Sequence, residues 1–284
     1  MLVIVVWGTT FVATKMLLNN GMSPGDIFFY RFLLAYIGIW FFGPRRLFAD
    51  KLRDEFLLLL AGICGGSLYF LAGNTALLIT QASNVALLAC TSPILTIFLS
   101  RLFLKNEGVE NSASTMRFLL QGSTLALIGV VLVIFNGQFI LQINPLGDIF
   151  SLFAAFSWAL YIILLKRLGS RYSMLFITRK VFFYGLLSLL PFFYFWPLNF
   201  NIRVLMQPVV WGNLLYLGLM ASLICYFLWN TVVKRLGAIR ASAYVYLSPL
   251  VTMTAAAIVL NESITLIAMA GALLILLGVA LAER

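Results

Sequence analysis

The sequence predicts an all-α membrane protein with ten transmembrane helices, arranged as two inverted five-helix repeats. Three observations predict it. Of 284 residues, 63% are hydrophobic and 10% charged, where a soluble domain carries about 25% charged residues. The apolar residues fall in runs of about 20, enough for an α-helix to cross a hydrocarbon core of about 30 Å. Small and polar residues recur inside those runs in the same order in both halves of the chain.

A helix satisfies its own backbone hydrogen bonds in lipid, and the two-residue alternation of a transmembrane barrel is absent. The expected spans are 2–20, 26–43, 55–78, 84–104, 115–135, 147–168, 174–196, 210–234, 240–260 and 265–282. Lysine and arginine concentrate on the cytoplasmic side of such proteins. With the N-terminus inside, the inner stretches hold Arg45, Arg46, Lys51, Arg53, Arg101, Lys105, Arg117, Lys166, Arg167, Arg171, Lys234, Arg235, Arg240 and Arg284. The outer stretches hold only Arg203. The sequence thus predicts a multi-pass protein of the cytoplasmic (inner or plasma) membrane with both termini cytoplasmic. The inner stretch 44–55 reads either as a segment lying along the headgroups or as a solvated loop.

The net charge of +10 does not imply nucleic acid, because the basic residues sit in the gaps between spans. Cys64, Cys90 and Cys225 are isolated within apolar runs and read as packing residues. The chain has no histidine and no metal-ligand spacing, so neither metal nor cofactor is expected. The first run has no charged leader and no cleavage site after it.

The internal repeat is carried by spacing. Trp7 precedes Lys15 by eight residues, as Trp158 precedes Lys166. Asn74 precedes Ser92-Pro93 by 18, as Asn230 precedes Ser248-Pro249. Gly62 and Gly66 match Gly218 and Ser222 at the offset of those asparagines, and Gly122 and Gly129 match Gly271 and Gly278. Arg31 matches Arg179 after a three-residue adjustment, and Asn106-Glu107 matches Asn261-Glu262 with one residue of slippage. The expected units are residues 1–138 and 139–284. Each has an odd number of spans, so the second enters the membrane from the opposite side. Inverted repeats around a midplane site are a recurring carrier architecture. About eleven span residues precede Trp158 but only six precede Trp7, so the first span is expected to lack a short inner segment.

These features resemble the drug/metabolite transporter superfamily, specifically its ten-span EamA-type members. The resemblance rests on Trp7-Gly8-Thr9 with Lys15, Pro24 with Arg31-Phe32, Ala82 and Ala86 leading to Pro93, and Glu107 with Gly122 and Gly129. In the second half it rests on Trp158, Lys166, Arg179, Ala238, Ala241, Pro249, Glu262, Gly271 and Gly278; Ala159 departs from it, standing where the first half has Gly8. It implies secondary transport, often export, through a cavity between the halves, and leaves the substrate open.

Polar residues at span midpoints are costly in lipid and turn toward protein or a wet cavity. Asn74 and Asn230 are therefore candidates to bind substrate or to join helices. Pro93 and Pro249, beside Ser92 and Ser248, interrupt spans 4 and 9 and read as hinges or static bends. Trp7, Tyr69, Trp158, Tyr161, Tyr226, Trp229, Tyr244 and Tyr246 offer an amphipathic lining or interface anchors. Span 9 bears Tyr244, Tyr246 and Ser248 where span 4 has Leu88, Cys90 and Ser92, which predicts that specificity lies more in the second half. The candidate substrate-binding set is Trp7, Tyr69, Asn74, Ser92, Trp158, Tyr161, Trp229, Asn230, Tyr244 and Ser248.

Arg31 and Glu262 belong near the outer surface, Arg179 and Glu107 near the inner one. They read either as two cross-half latches, Arg31 with Glu262 and Arg179 with Glu107, or as side chains snorkelling to headgroups. Lys15 and Lys166 read as snorkelling too. None of the acidic residues lies deep in a span, which favours a facilitative carrier or exchanger over a proton-coupled drug efflux carrier. An enzyme is not expected, because the nucleophile–base and paired-carboxylate constellations are missing. A channel would form its ring from several subunits, and a sensor would carry a longer loop. The expected partners are a small-molecule substrate such as an amino acid and the bilayer, with the chain a monomer or homodimer.

Overall fold

The chain's secondary structure is helical, with turns between helices and no strand, among the residues described by its computed structural model, namely 1–42, 46–80, 82–104, 113–135, 144–195, 197–198, 202–260 and 265–282. Its first half holds α1 (Leu2–Asn19), α2 (Pro24–Ile39), α3 (Leu52–Gly62), α4 (Tyr69–Ile79), α5 (Ala82–Ala89), α6 (Ser92–Phe103) and α7 (Ala113–Phe135). The second holds α8 (Pro145–Gly169), α9 (Met174–Phe195), α10 (Ile202–Leu205), α11 (Pro208–Leu215), α12 (Cys225–Leu236), α13 (Ala238–Ala243), α14 (Ser248–Leu260) and α15 (Leu266–Ala282). Seven helical stretches among the described residues are long and apolar enough to cross a membrane. At 16 and 17 residues, α2 and α15 are shorter than that length.

Local chemistry sets the helix starts. Ser23 and Asp26 form a reciprocal capping box around Pro24 at the first position of α2, satisfying two orphan donors at once. Asn144 caps α8 through Gly147 N–H at 3.1 Å, and its amide also donates to Ile79 O at 2.8 Å, tying α8 to the end of α4. Gly237 ends α12 at φ 90°, a conformation that a side chain would strain.

Two long rods share an irregularity. The π-helical turns Ile63–Leu68 join α3 to α4, and Tyr216–Ile224 join α11 to α12. The offset of 156 that brings Asn74 onto Asn230 carries the first π segment onto residues inside the second. A π turn misaligns the backbone ladder, and aromatic side chains fill in at matched places. Tyr226 Oη donates to Gly65 O at 2.6 Å, and Trp7 Nε1 donates to Ala221 O at 3.0 Å. Such bonds in a bilayer average about 0.6 kcal/mol and reach roughly 1.7.

Small residues let α7 and α15 pack antiparallel along their length. A Cβ added to Gly129 would stand 2.5 Å from Gly271 O, and one added to Gly122 would stand 2.5 Å from Gly278 O. Elsewhere, α2 packs on the second π segment and α9 on the first.

Candidate functional site

A cavity of about 370 Å³ lies between the two halves. Trp7 and Thr10 reach it from α1, Tyr69 and Phe70 from α4, and Trp158 from α8. Ser92 lines it at the start of α6, Ser248 and Pro249 at the start of α14, and Arg31 from the middle of α2. Val133 and Ile134, in the last turn of α7, line it as well. Trp7 and Trp158, the repeat-matched pair, meet edge to face at 5.3 Å, and Tyr69 lies 4.9 Å from Trp158.

The prolines explain part of this surface. Pro93 and Pro249 each stand in the first turn of a restarted helix, after a break at Cys90–Thr91 in one case and a 3₁₀ turn, Tyr244–Leu247, in the other. Lacking an N–H, each withdraws the donor from the carbonyl four residues earlier. Those residues, Ala89 and Val245, line the cavity.

Several candidates lie elsewhere. Asn230 is fully buried away from the cavity: Tyr161 Oη donates to its Oδ1 at 2.6 Å, and its Nδ2 donates to Thr178 Oγ1 at 2.8 Å. It joins α8, α9 and α12, and with it Tyr161 is removed from the lining. Trp229 is buried beneath Trp7, centroids 5.1 Å apart, so it backs the wall without forming it. Tyr244 packs in the 3₁₀ turn, outside the cavity. Asn74 borders a smaller void of about 50 Å³ beside the main one, and its amide donates to Pro24 O at 3.2 Å. The bundle consumes these side chains because an unmet buried amide costs about 1–3 kcal/mol.

The charges also differ from expectation. Glu107 and Glu262 lie outside the described residues. Arg31 is 4% exposed and does not snorkel; its Nε donates to Ser222 Oγ at 2.5 Å and its guanidinium lies 4.4 Å from the centre of the Phe70 ring. Arg179 donates to Arg46 O and stacks 4.7 Å from the centre of the Trp40 ring. Lys15 Nζ donates to Leu77 O at 2.7 Å, favourable at the negative end of α4.

The ionic closure lies at the other end of the bundle, in residues that the sequence reading left in a loop. Segment 46–55 folds onto the α8–α9 turn. Asp54 is buried, pairs with Arg171 at 2.7 Å, and accepts from Tyr172 Oη at 2.9 Å. Glu55 pairs with Lys180, accepts from Tyr184 Oη, and accepts from Ala49 N–H at 2.7 Å. Burial, with Asp54 beside it, pushes the Tyr172 phenol above its ordinary range, so it remains a donor. These contacts join the two halves and close the basic end.

Comparison with known proteins agrees with this architecture. An uncharacterized transporter of Archaeoglobus fulgidus is 28% identical, covering 98% of this chain and 93% of its own. A probable amino-acid metabolite efflux pump of Escherichia coli is 29% identical, covering 98% and 91%. A crystal structure with a TM-score of 0.75 and 17% identity covers 99% of this chain and 94% of that one, and it shares the fold. The EamA-like transporter family matches residues 1–135 and again 145–283. On that match, and with its several apolar helices, this multi-pass membrane protein belongs to the EamA-like transporter family.

Proposed function

We propose that the protein is a secondary carrier that exports or exchanges a small metabolite, such as an amino acid, across a cytoplasmic membrane by alternating access. Ten spans form two inverted five-helix units, residues 1–138 and 139–284, and the termini face the cytoplasm. The basic end is the inner face, so the cavity faces outward and the Asp54–Arg171 and Glu55–Lys180 pairs close the inner side. The occupied cavity then reopens inward when those pairs part and the outer helix ends close.

The observation that carries this reading is reciprocity of contact. Gly122 meets Gly278 while Gly129 meets Gly271, the pattern that a two-fold axis imposes on matched positions. Because α7 and α15 run antiparallel, that axis lies across the helices, in the membrane plane. Two related units give two related shapes of similar energy, one open to each side. Among the described residues no carboxylate lines the cavity, which favours exchange or facilitated movement over proton coupling there.

The test is counterflow in proteoliposomes. Preloading with unlabelled solute accelerates saturable uptake of the labelled solute through a carrier. Uptake that is linear with concentration and indifferent to preloading contradicts the reading and favours a channel.

A further inference from the structure

Arg31 is a buried cation with no anionic partner among the described residues. Its Nε–H is taken by Ser222 and one face by Phe70. The titratable groups that interact with it electrostatically are Tyr69, Tyr216, Tyr226 and Cys225, none of them a carboxylate. A guanidinium has five N–H donors in a planar fork, only the Nε–H has a hydrogen-bond partner among the described residues, and Arg31 lines both voids. Burying an unpaired charge costs several kcal/mol, so in lipid such a group marks a ligand pathway.

From this geometry we infer that the cavity binds a monoanionic carboxylate attached to an aromatic or flat apolar body, with Arg31 as the residue that recognises its charge. The inference rests on the carrier reading and, within its small metabolites, replaces the amino acid with an acid that has no amino group. The fork matches a carboxylate bidentately. Trp7, Tyr69 and Trp158 supply a wall of π faces beside it. The volume of about 370 Å³ lies at the small end of solute pockets and holds one ring system.

Charge balance selects within this class. Arg31 is the one ionised side chain lining the cavity among the described residues. A carboxylate of charge −1 neutralises it. A phosphate dianion leaves a negative charge without a second cation, and a zwitterion brings an ammonium to a lining that offers it hydroxyls but no carboxylate. The favoured occupant is therefore an aryl acid without an amino group.

The experiment measures thermal stabilisation of the purified protein in nanodiscs by phenylacetate and indole-3-acetate, against phenylacetamide, phenyl phosphate and phenylalanine. A ligand of the native state raises the melting temperature by mass action. The acids are expected to bind at least tenfold more tightly than phenylacetamide, with phenyl phosphate and phenylalanine weaker than the acids. Arg31→Gln is expected to erase the preference for acid over amide. Arg31→Lys, which keeps the charge and loses the fork, should retain a reduced preference. If Arg31→Gln does not fold, the acid–amide comparison on the native protein and the Arg31→Lys result decide. Equal binding of acid and amide, or an acid preference that survives in Arg31→Gln, overturns the inference. Counterflow of a cationic or uncharged solute, with no response to the acids, overturns it while leaving the carrier reading standing. No counterflow of any solute removes the carrier reading itself.

Discussion

Arg31 and Arg179 are paired in the sequence only after a three-residue adjustment, and one borders a cavity while the other is tied to the backbone of Arg46. Arg31 meets Ser222, whose hydroxyl accepts its Nε–H. The residue matched to Ser222 is Gly66, which has no hydroxyl and packs on Gly185. Arg179 donates to the backbone of Arg46 and stacks on the ring of Trp40. The two arginines thus stand in unlike settings, Arg31 at a cavity lined from both halves and Arg179 against Arg46 and Trp40. Asn74 and Asn230 diverge similarly: one borders a void, and the other is consumed by Tyr161 and Thr178.

The largest expected effect comes from breaking the closed end. Lys180 is 5% exposed and Glu55 16% at their side chains. Glu55→Gln leaves the ammonium buried without a counter-charge, a loss of about 3–5 kcal/mol. It should lower the melting temperature by several degrees. Glu55→Gln with Lys180→Met should recover most of it, since an apolar replacement of a buried pair is often neutral. A double variant no better than the single would show that the pair does not act as a unit.

A smaller loss, about 1–3 kcal/mol, is expected for Gly129→Ala, where the new methyl would press on the α15 backbone. The matched Gly271→Ala should cost a similar amount, because a Cβ there would stand 2.7 Å from Gly129 O. Unequal losses measured by thermal unfolding would break the reciprocity on which the inverted arrangement leans.

The two asparagines sharpen the comparison further. Asn230→Leu strands the hydroxyl of Tyr161, while Thr178 keeps its bond to Met174 O, and should cost about 1–3 kcal/mol. Asn74→Leu removes one bond, to Pro24 O, and should cost about 0.6 kcal/mol. The reverse order would mean that Asn74 supports more of the bundle than its single contact accounts for.

The helical membrane class was readable in composition, and the proposed repeat is read from the spacing of small and polar residues against an apolar background. Trp7, Tyr69, Ser92, Trp158 and Ser248, named from position alone, do line the cavity. Three features were hidden. Hydrophobic pattern carries no mark of a π turn, so the carbonyls of Gly65 and Ala221 could not be foreseen as acceptors. Depth along a span does not say which way a side chain points, so Arg31 was placed at a mouth and Asn230 in the lining. Stretch 44–55 reads equally as a headgroup segment or a solvated loop because its charges are dense; the burial of Asp54 depends on Arg171 and Tyr172, more than a hundred residues away.

The central claim, one cavity open to one side at a time, is tested most directly by thiol labelling at a lining position. In a background with Cys64, Cys90 and Cys225 replaced by alanine, Ser248→Cys is exposed to an impermeant maleimide from either side of oriented vesicles. Labelling from the outside only is expected, shifting toward the cytoplasmic side when Asp54→Asn and Glu55→Gln loosen the basic end. Equal labelling from both sides with the ionic pairs intact would contradict alternating access.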